Sequence, residues 1–253
     1  MKFDFGGKMA IVTGGGSGIG RQVAERLAAA GAIVVSADRS NEALLPASAW
    51  QGICNARLDV CDEAACSDLV ARAAAVTGRL DILVNCAGVS ERGLRTVDQA
   101  TSEWQKIIDV NLGGTYRMSK AAAVAMSQQD TGGSIVNVGS VTGLRAFRAS
   151  NGYGVSKSAV AMLTQTMASD LASCGVRVNA VAPGFVETPM TADLNTVGRG
   201  LKADYVRRIP MRRFGSTDEV AGPVLMLCSD LASYMTGAVI PVDGGWTAFD
   251  GVS

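Results

Sequence analysis

The segment Thr13-Gly14-Gly15-Gly16-Ser17-Gly18-Ile19-Gly20 joins an apolar run directly to an amphipathic one, and no other stretch constrains the fold as strongly. Lys8 to Val12 reads as a buried strand, and Gln22 to Ala30 spaces its apolar residues three and four apart, as a helix does. Strand, glycine-rich turn and helix in that order open a βα unit, the context a dinucleotide-binding turn requires. Glycines permit the tight turn and a close backbone approach, while the free N–H groups at the helix start face an anion such as a pyrophosphate.

The alternation continues along the chain. Strand patterns fall at Ala32 to Ala37, Ile53 to Leu58, Asp81 to Asn85, Gly133 to Gly139, Val176 to Ala182 and Ala238 to Val242. Helical patterns cover Glu63 to Val76, Ser102 to Gln128 and Gly154 to Ser173, with stops at Gly31, Gly78 and Gly175, and Leu112-Gly113-Gly114 is expected to split the second of these into two helices. This predicts an α/β fold: one Rossmann-type domain over residues 1–253, its sheet of about seven parallel strands doubly wound with helices on both faces. The segment Pro183 to Arg213 breaks the pattern and is expected to form a substrate lid.

Composition narrows the function. Lys plus Arg and Asp plus Glu are 23 each, so no net field favours nucleic acid or an anionic membrane surface. No apolar stretch is long enough to span a membrane, and no signal-peptide pattern opens the sequence, so a cytoplasmic protein is expected. The six cysteines lie far apart without a C-x-x-C pair and read as reduced, mostly buried thiols. The chain has no histidine, which removes Ser-His-Asp hydrolysis, Cys-His chemistry and His-ligated catalytic zinc together. Proton transfer falls to Tyr, Lys, Cys or a carboxylate, and no metal is needed.

Asp38 ends the second strand, where a carboxylate accepts hydrogen bonds from the adenosine ribose and repels a 2′-phosphate. Arg39 beside it could pair with such a phosphate, so NAD is favoured over NADP without excluding it. Asp59-Val60 ends the third strand and offers a carboxylate near the adenine, or else a polar cap for the following helix. The small residues of Asn85-Cys86-Ala87-Gly88 would let a flat cofactor lie on the backbone, or form a plain strand-to-loop turn.

Tyr153 and Lys157 stand four apart on one helix face, so an ammonium could draw the phenol pKa down from about 10 toward the working pH. Alone, Y-x-x-x-K is a common accident of helix surfaces. Ser140 adds weight, because it follows the Ile135 to Val138 strand run at the same sheet edge as the glycine turn, where a hydroxyl can meet a carbonyl oxygen gaining charge. Its plain alternative is a helix cap or serine turn.

With these residues in place the sequence resembles the short-chain dehydrogenase/reductase family over nearly its whole length. The shared motifs are the T-G-x-x-x-G-x-G turn, Asp38, Asp59-Val60, Asn85-x-Ala87-Gly88, Asn111, Ser140, Tyr153, Lys157 and Pro183-Gly184. The resemblance implies Tyr153 as general acid-base, Lys157 as the group that lowers its pKa and holds the nicotinamide ribose, Ser140 as the orienter of the substrate oxygen, and Asn111 as the anchor of a relay water. It also implies a cofactor site built from Gly14, Ser17, Gly18, Ile19, Gly20, Asp38, Arg39, Asp59, Val60, Asn85, Ala87, Gly88, Tyr153, Lys157, Pro183, Gly184, Val186 and Thr188. The family usually has N-N-A-G where this chain has Asn85-Cys86, which puts one sheet-stabilising contact in doubt.

Expected pocket positions are Ser90, Arg92, Thr142, Asn151, Glu187 and Met190, a mixture that suits a small polar alcohol such as a sugar or polyol. Arg145, Arg148, Arg199, Arg207, Arg208, Arg212 and Arg213 surround the lid segment and could recruit an anion, though solvated or subunit-contact arginines are the favoured reading. The leading expectation is an NAD-dependent secondary-alcohol oxidoreductase. A 3-oxoacyl-[acyl-carrier-protein] reductase and a non-catalytic NAD-sensing protein are the rivals. By the resemblance, the chain assembles as a homotetramer.

Overall fold

The computed structural model describes residues 3–40, 52–192 and 201–248. Seven strands form one all-parallel sheet: β1 (Met9–Thr13), β2 (Ile33–Asp38), β3 (Ile53–Arg57), β4 (Ile82–Asn85), β5 (Gly133–Val138), β6 (Val176–Pro183) and β7 (Val239–Val242), in the order β3-β2-β1-β4-β5-β6-β7. All seven expected strands are present, and together they make a single Rossmann-type domain. The helices are α1 (Gly18–Ala29), α2 (Glu63–Thr77), α3 (Thr101–Ile108), α4 (Thr115–Ser127), α5 (Asn151–Leu171), α6 (Pro189–Ala192), α7 (Leu201–Arg208) and α8 (Thr217–Cys228).

Every residue of β1 is buried, because helices cover both faces of the sheet. Ala10 and Val12 pack with Val23 and Leu27 of α1 and Val220 and Val224 of α8. Met9 and Ile11 point the other way, to Leu69 of α2, Met118 of α4 and Ala168 of α5. Each fully buried aliphatic side chain contributes roughly 1.5–3 kcal/mol relative to exposure, so this two-sided core is what holds the sheet between its helices. Strand order reverses between β1 and β4, whose connections leave on opposite sides and open a crevice at the carboxyl edge. That crevice is where the candidate site lies.

Three expectations need correction. Leu112-Gly113-Gly114 does not split the helix: α3 and α4 are joined by a π-helical stretch, Asp109–Gly114, with right-handed helical backbone at both of its flanking residues. Gly114 is needed for proximity, since a Cβ there would stand 2.4 Å from Val60 Cγ2. The second correction is α8, a whole helix beyond the Pro183 to Arg213 segment, where no helical pattern had been named. It starts at a capping box in which Ser216 Oγ accepts from Glu219 N at 3.2 Å and Glu219 Oε2 accepts from Ser216 N at 2.9 Å. The third concerns the thiols: all six are free, but only Cys66 and Cys228 are fully buried, while Cys54, Cys61 and Cys174 are exposed. They lie on the outer strand β3 and in two turns, places that the apolar character of their neighbours did not reveal. Gly31, Gly78 and Gly175 do end their helices, all with left-handed backbone.

Candidate active site

A cleft of about 350 Å³ opens along the carboxyl ends of β1, β2, β4, β5 and β6. On its nucleotide side the glycine turn leads into α1, and Ser17 makes no side-chain capping bond, so the first N–H groups of the helix stay open for an anion. Gly20 passes so close to the preceding turn that a Cβ would meet Gly14 O at 2.2 Å. Asp38 ends β2 with one carboxylate oxygen accepting from Gly16 N at 3.2 Å and the other from Ser40 N at 3.1 Å, each with lone pairs remaining. Gly14, Ser17, Gly18, Ile19, Arg39, Asp59, Val60, Ala87 and Gly88 share this wall. Asp59 Oδ1 accepts from Cys61 N at 2.9 Å, and the helix cap it was weighed against is supplied instead by Asp62, whose Oδ1 accepts from Ala65 N at 3.0 Å. An open helix end, a backbone cradle and an acidic strand end together fit a dinucleotide.

The reacting groups stand at the other end of the same cleft. Ser140, Tyr153 and Lys157 all line it, with Pro183, Gly184, Val186 and Thr188 opposite. Ser140 is also the cap of a short 3-10 turn, Val141–Gly143: its Oγ accepts from Thr142 N at 3.2 Å and from Thr142 Oγ1 at 3.0 Å. With both acceptor positions taken, Ser140 has its one O–H to donate, and the group it meets is the Tyr153 phenol. Lys157 is buried and its Nζ donates to Val138 O at 2.8 Å. Burial draws its pKa down to about 8. Burial raises Tyr153, the Ser140 hydrogen bond lowers it part of the way, and the Glu91 charge raises it again. Burial is the largest influence on the phenol, and Lys157 Nζ lies 5.7 Å from the Tyr153 ring centroid with a hydrogen bond to Val138 O.

The comparisons with known proteins agree on one lineage. A family model described as "Enoyl-(Acyl carrier protein) reductase" matches residues 14–247. A 3-oxoacyl-[acyl-carrier-protein] reductase from Thermotoga maritima is 39% identical over 94% of this chain and 97% of its own. A galactitol 2-dehydrogenase from Rhizobium johnstonii is 39% identical over 98% of each chain. A short-chain type dehydrogenase/reductase from Mycobacterium ulcerans superimposes with a TM-score of 0.91 at 35% identity, over 99% of this chain and 93% of that one. The chain belongs to the short-chain dehydrogenase/reductase family. It is an oxidoreductase of the kind that uses a nicotinamide cofactor on CH–OH and carbonyl groups, and two other solved neighbours contain bound NADP.

Two residues implied by the family resemblance stand behind the cleft wall. Asn85 is buried, and its Nδ2 donates to Asn137 Oδ1 on β5 and Ser119 Oγ on α4, both at 2.9 Å. It ties strand to strand and strand to helix, while Cys86 in place of the family's second Asn contributes a backbone N–H to Thr13 O and Oγ1 at 3.2 Å. The Cys86 thiol, pushed up to about 12 by burial, stays protonated. Asn111 is fully buried in the π stretch, its amide exchanging bonds with Val89 N (2.8 Å) and Val89 O (3.1 Å) and donating to Ser156 Oγ at 3.1 Å. It thereby holds the loop after β4 against α5.

Of the expected pocket positions, Met190 lines the cleft. The others are engaged elsewhere or turned outward. Asn151 accepts from Thr96 Oγ1 at 2.9 Å, Glu187 pairs with Lys202 at 2.7 Å, Arg92 faces Glu103 at 3.7 Å, Thr142 serves Ser140, and Ser90 is exposed. The arginines expected around residues 183–213 are mostly partnered: Arg207 with Asp204, Arg212 with Arg207 O, Arg213 with Glu219, Arg145 with Thr247 O, and Arg208 over the Trp246 ring at 4.6 Å. Arg199 lies outside the described residues, as does part of the expected lid. Sequence reasoning missed the rings of Phe147, Phe185, Tyr205, Phe214 and Trp246, which pack together beside the end of β6, with Phe185 stacked on Tyr205 at 4.4 Å. It also missed Glu91, which no periodicity could flag.

Proposed function

We propose that this chain is an NAD-dependent dehydrogenase that interconverts a secondary alcohol and a ketone on a small polar substrate such as a sugar or polyol. The observation that carries the reading is the convergence of Ser140, Tyr153 and Lys157 with the glycine turn and Asp38 in one cleft. When bound, the nicotinamide supplies a carbon that accepts or donates hydride. In the oxidation direction Tyr153 takes the substrate hydroxyl proton, and in reduction it returns one. Ser140, whose O–H is shared with the Tyr153 phenol, would turn it to the substrate oxygen, and Lys157, held on Val138 O, places a cation beside Tyr153. Gly14, Gly18, Ile19 and Gly20 would hold the pyrophosphate, Asp38 would accept from the ribose hydroxyls, and Pro183, Gly184, Val186 and Thr188 would hold the nicotinamide.

The similarity to a 3-oxoacyl-[acyl-carrier-protein] reductase supports a second reading, in which the substrate is an acyl chain reduced with NADPH. Asp38 speaks against it, because a carboxylate at that strand end disfavours a 2′-phosphate. The segment 183–213 serves as the substrate lid in either case. Exposed Tyr116 and Val124 on α4, with Val155 and Met162 on α5, support a homotetramer built through those helices. Among the described residues no helix is long and apolar enough to cross a membrane, which is compatible with a cytoplasmic enzyme.

A rate screen of sugars, polyols, hydroxy acids and a 3-oxoacyl thioester, each with both cofactors, separates the readings. Turnover of a polyol with NAD supports the proposal, and exclusive turnover of the thioester with NADPH overturns it. In Asp38→Ala, KM for NAD should rise about tenfold while KM for NADP falls or holds, since one charge-assisted ribose contact is worth about 1.5–3 kcal/mol. Equal effects on both cofactors would remove the assignment of Asp38.

A further inference from the structure

Glu91 lies in the loop after β4, outside every motif that marks the family. Its Oε2 accepts from Gly152 N at 3.0 Å and from Gln99 Nε2 at 3.1 Å, and its Oε1 accepts from Tyr153 N at 3.3 Å. Those two backbone groups belong to the first turn of α5, where N–H groups have no partner within the helix. Ser150 Oγ takes the next one, Gly154 N, at 3.1 Å. A carboxylate is the favoured group at this positive helix end.

The surroundings show that the turn is held from outside. Ala149, just before it, has φ 58°, a left-handed backbone that costs a residue with a side chain roughly 1 kcal/mol or more and persists only where neighbours enforce it. The loop carrying Glu91 supplies those neighbours: Asn151 Nδ2 donates to Leu94 O at 3.1 Å and Asn151 Oδ1 accepts from Thr96 Oγ1 at 2.9 Å. Trp104 of α3 donates to Asn151 O at 3.2 Å.

We propose that Glu91 is a positioning residue for Tyr153: by gripping the Gly152 and Tyr153 N–H groups it fixes the first turn of α5, so that the phenol meets Ser140 at the reacting end of the cleft. This rests on the reading of Tyr153 as the acid-base group. Three groups face that phenol: Lys157 from α5 itself, Ser140 from the end of β5 and Glu91 from the loop after β4. Glu91 therefore acts twice, through geometry and through a negative charge that opposes the phenolate, and the two can be separated.

The test is the pH dependence of kcat and KM for NAD-linked oxidation of galactitol, or of the fastest alcohol in the screen above, by the wild type, Glu91→Gln, Glu91→Asp and Tyr153→Phe. Glu91→Gln keeps one acceptor oxygen and loses the charge. Its kcat should fall about tenfold through imperfect placement, with KM within about twofold. The acid limb of its kcat profile should move down by about 0.5 pH unit, because the phenolate is no longer opposed. Glu91→Asp keeps the charge on a shorter arm, so its kcat should fall with the limb near the wild-type position. Wild-type kcat and an unmoved limb in Glu91→Gln overturn the proposal. Equal losses in both variants with unmoved limbs and a matching fall in Tm also overturn it, leaving a purely structural cap. Retained turnover in Tyr153→Phe removes the acid-base reading itself, whatever the Glu91 variants do.

Discussion

Where β1 and β2 meet α1, the cleft is shaped by backbone, with Gly20 against Gly14 O and Gly16 N donating to Asp38, whereas the chain beyond β6 is held by the rings of Phe147, Phe185, Tyr205, Phe214 and Trp246. The first region uses one short turn and a carboxylate 22 residues on, and in the proposed reading it would meet the parts common to any dinucleotide. The second gathers side chains from five separate places in the chain, and in that reading it would stand nearer the substrate. Backbone shape leaves little to vary, while ring packing can be rebuilt residue by residue.

This contrast can be broken at the seam and on either side. Tyr153→Phe, at the seam, should lower kcat about 1,000-fold, the scale of general acid-base catalysis, while NAD affinity measured by fluorescence titration stays within about twofold. A kcat near wild type would sink the assignment. Gly20→Ala should weaken NAD binding about 100-fold, or about 2.7 kcal/mol, because the added Cβ displaces Gly14 O. Near-UV circular dichroism from the ring cluster should not change, and a parallel loss of that signal would show the two regions to be one unit. Trp246→Ala should do the reverse: it removes a side chain that packs on Phe185 at 4.9 Å and Phe147 at 5.8 Å, lowering stability by about 3 kcal/mol and raising KM for the alcohol roughly tenfold. NAD affinity falling in step would join what is here separated.

A further effect, confined to alkaline pH, concerns Lys157. Its pKa is about 8 in the folded chain against an ordinary 10.5, so between those values the unfolded chain binds more protons and stability rises with pH. Without cofactor, the wild type should gain up to about 3 kcal/mol over that window relative to Lys157→Met, read from the difference in Tm against pH. Parallel Tm curves for the two proteins would contradict the lowered pKa.

The same contrast explains what the sequence disclosed. The seven strands were legible because buried parallel strands read as continuous apolar runs, and the glycine turn because its chemistry is local. Tyr153 and Lys157 showed in the sequence only as a pair on one helix, and it was their position with Ser140 and the family resemblance that singled them out; the structure brings all three to one cleft. The ring cluster was not, since nothing in residue 147 anticipates residue 246. Asn151, Glu187 and Arg92 were taken for pocket groups because polar residues near a reacting centre look alike until their partners are known. α8 was announced by Ser216 and Glu219, but the segment before it had already been read as irregular, and Pro223 argues against a helix on propensity alone. Gly113 and Gly114 suggested a break, although the second is there because Val60 leaves no space for a Cβ.

The π stretch between α3 and α4 has a consequence for deletion. An α-helix advances about 100° per residue, and one i→i+5 turn carries a residue beyond what a regular helix would use. α3 packs on α5, while α4 packs mainly on α2 and the sheet, and the two run as one rod. The widened turn takes up the surplus residue, so α4 leaves it in the phase of a regular helix. Excising one residue from Asp109–Gly114 would close the turn with Met118, Ala122 and Met126 of α4 still facing the core, and the loss would fall on Asn111 and its hold on Val89 and Ser156.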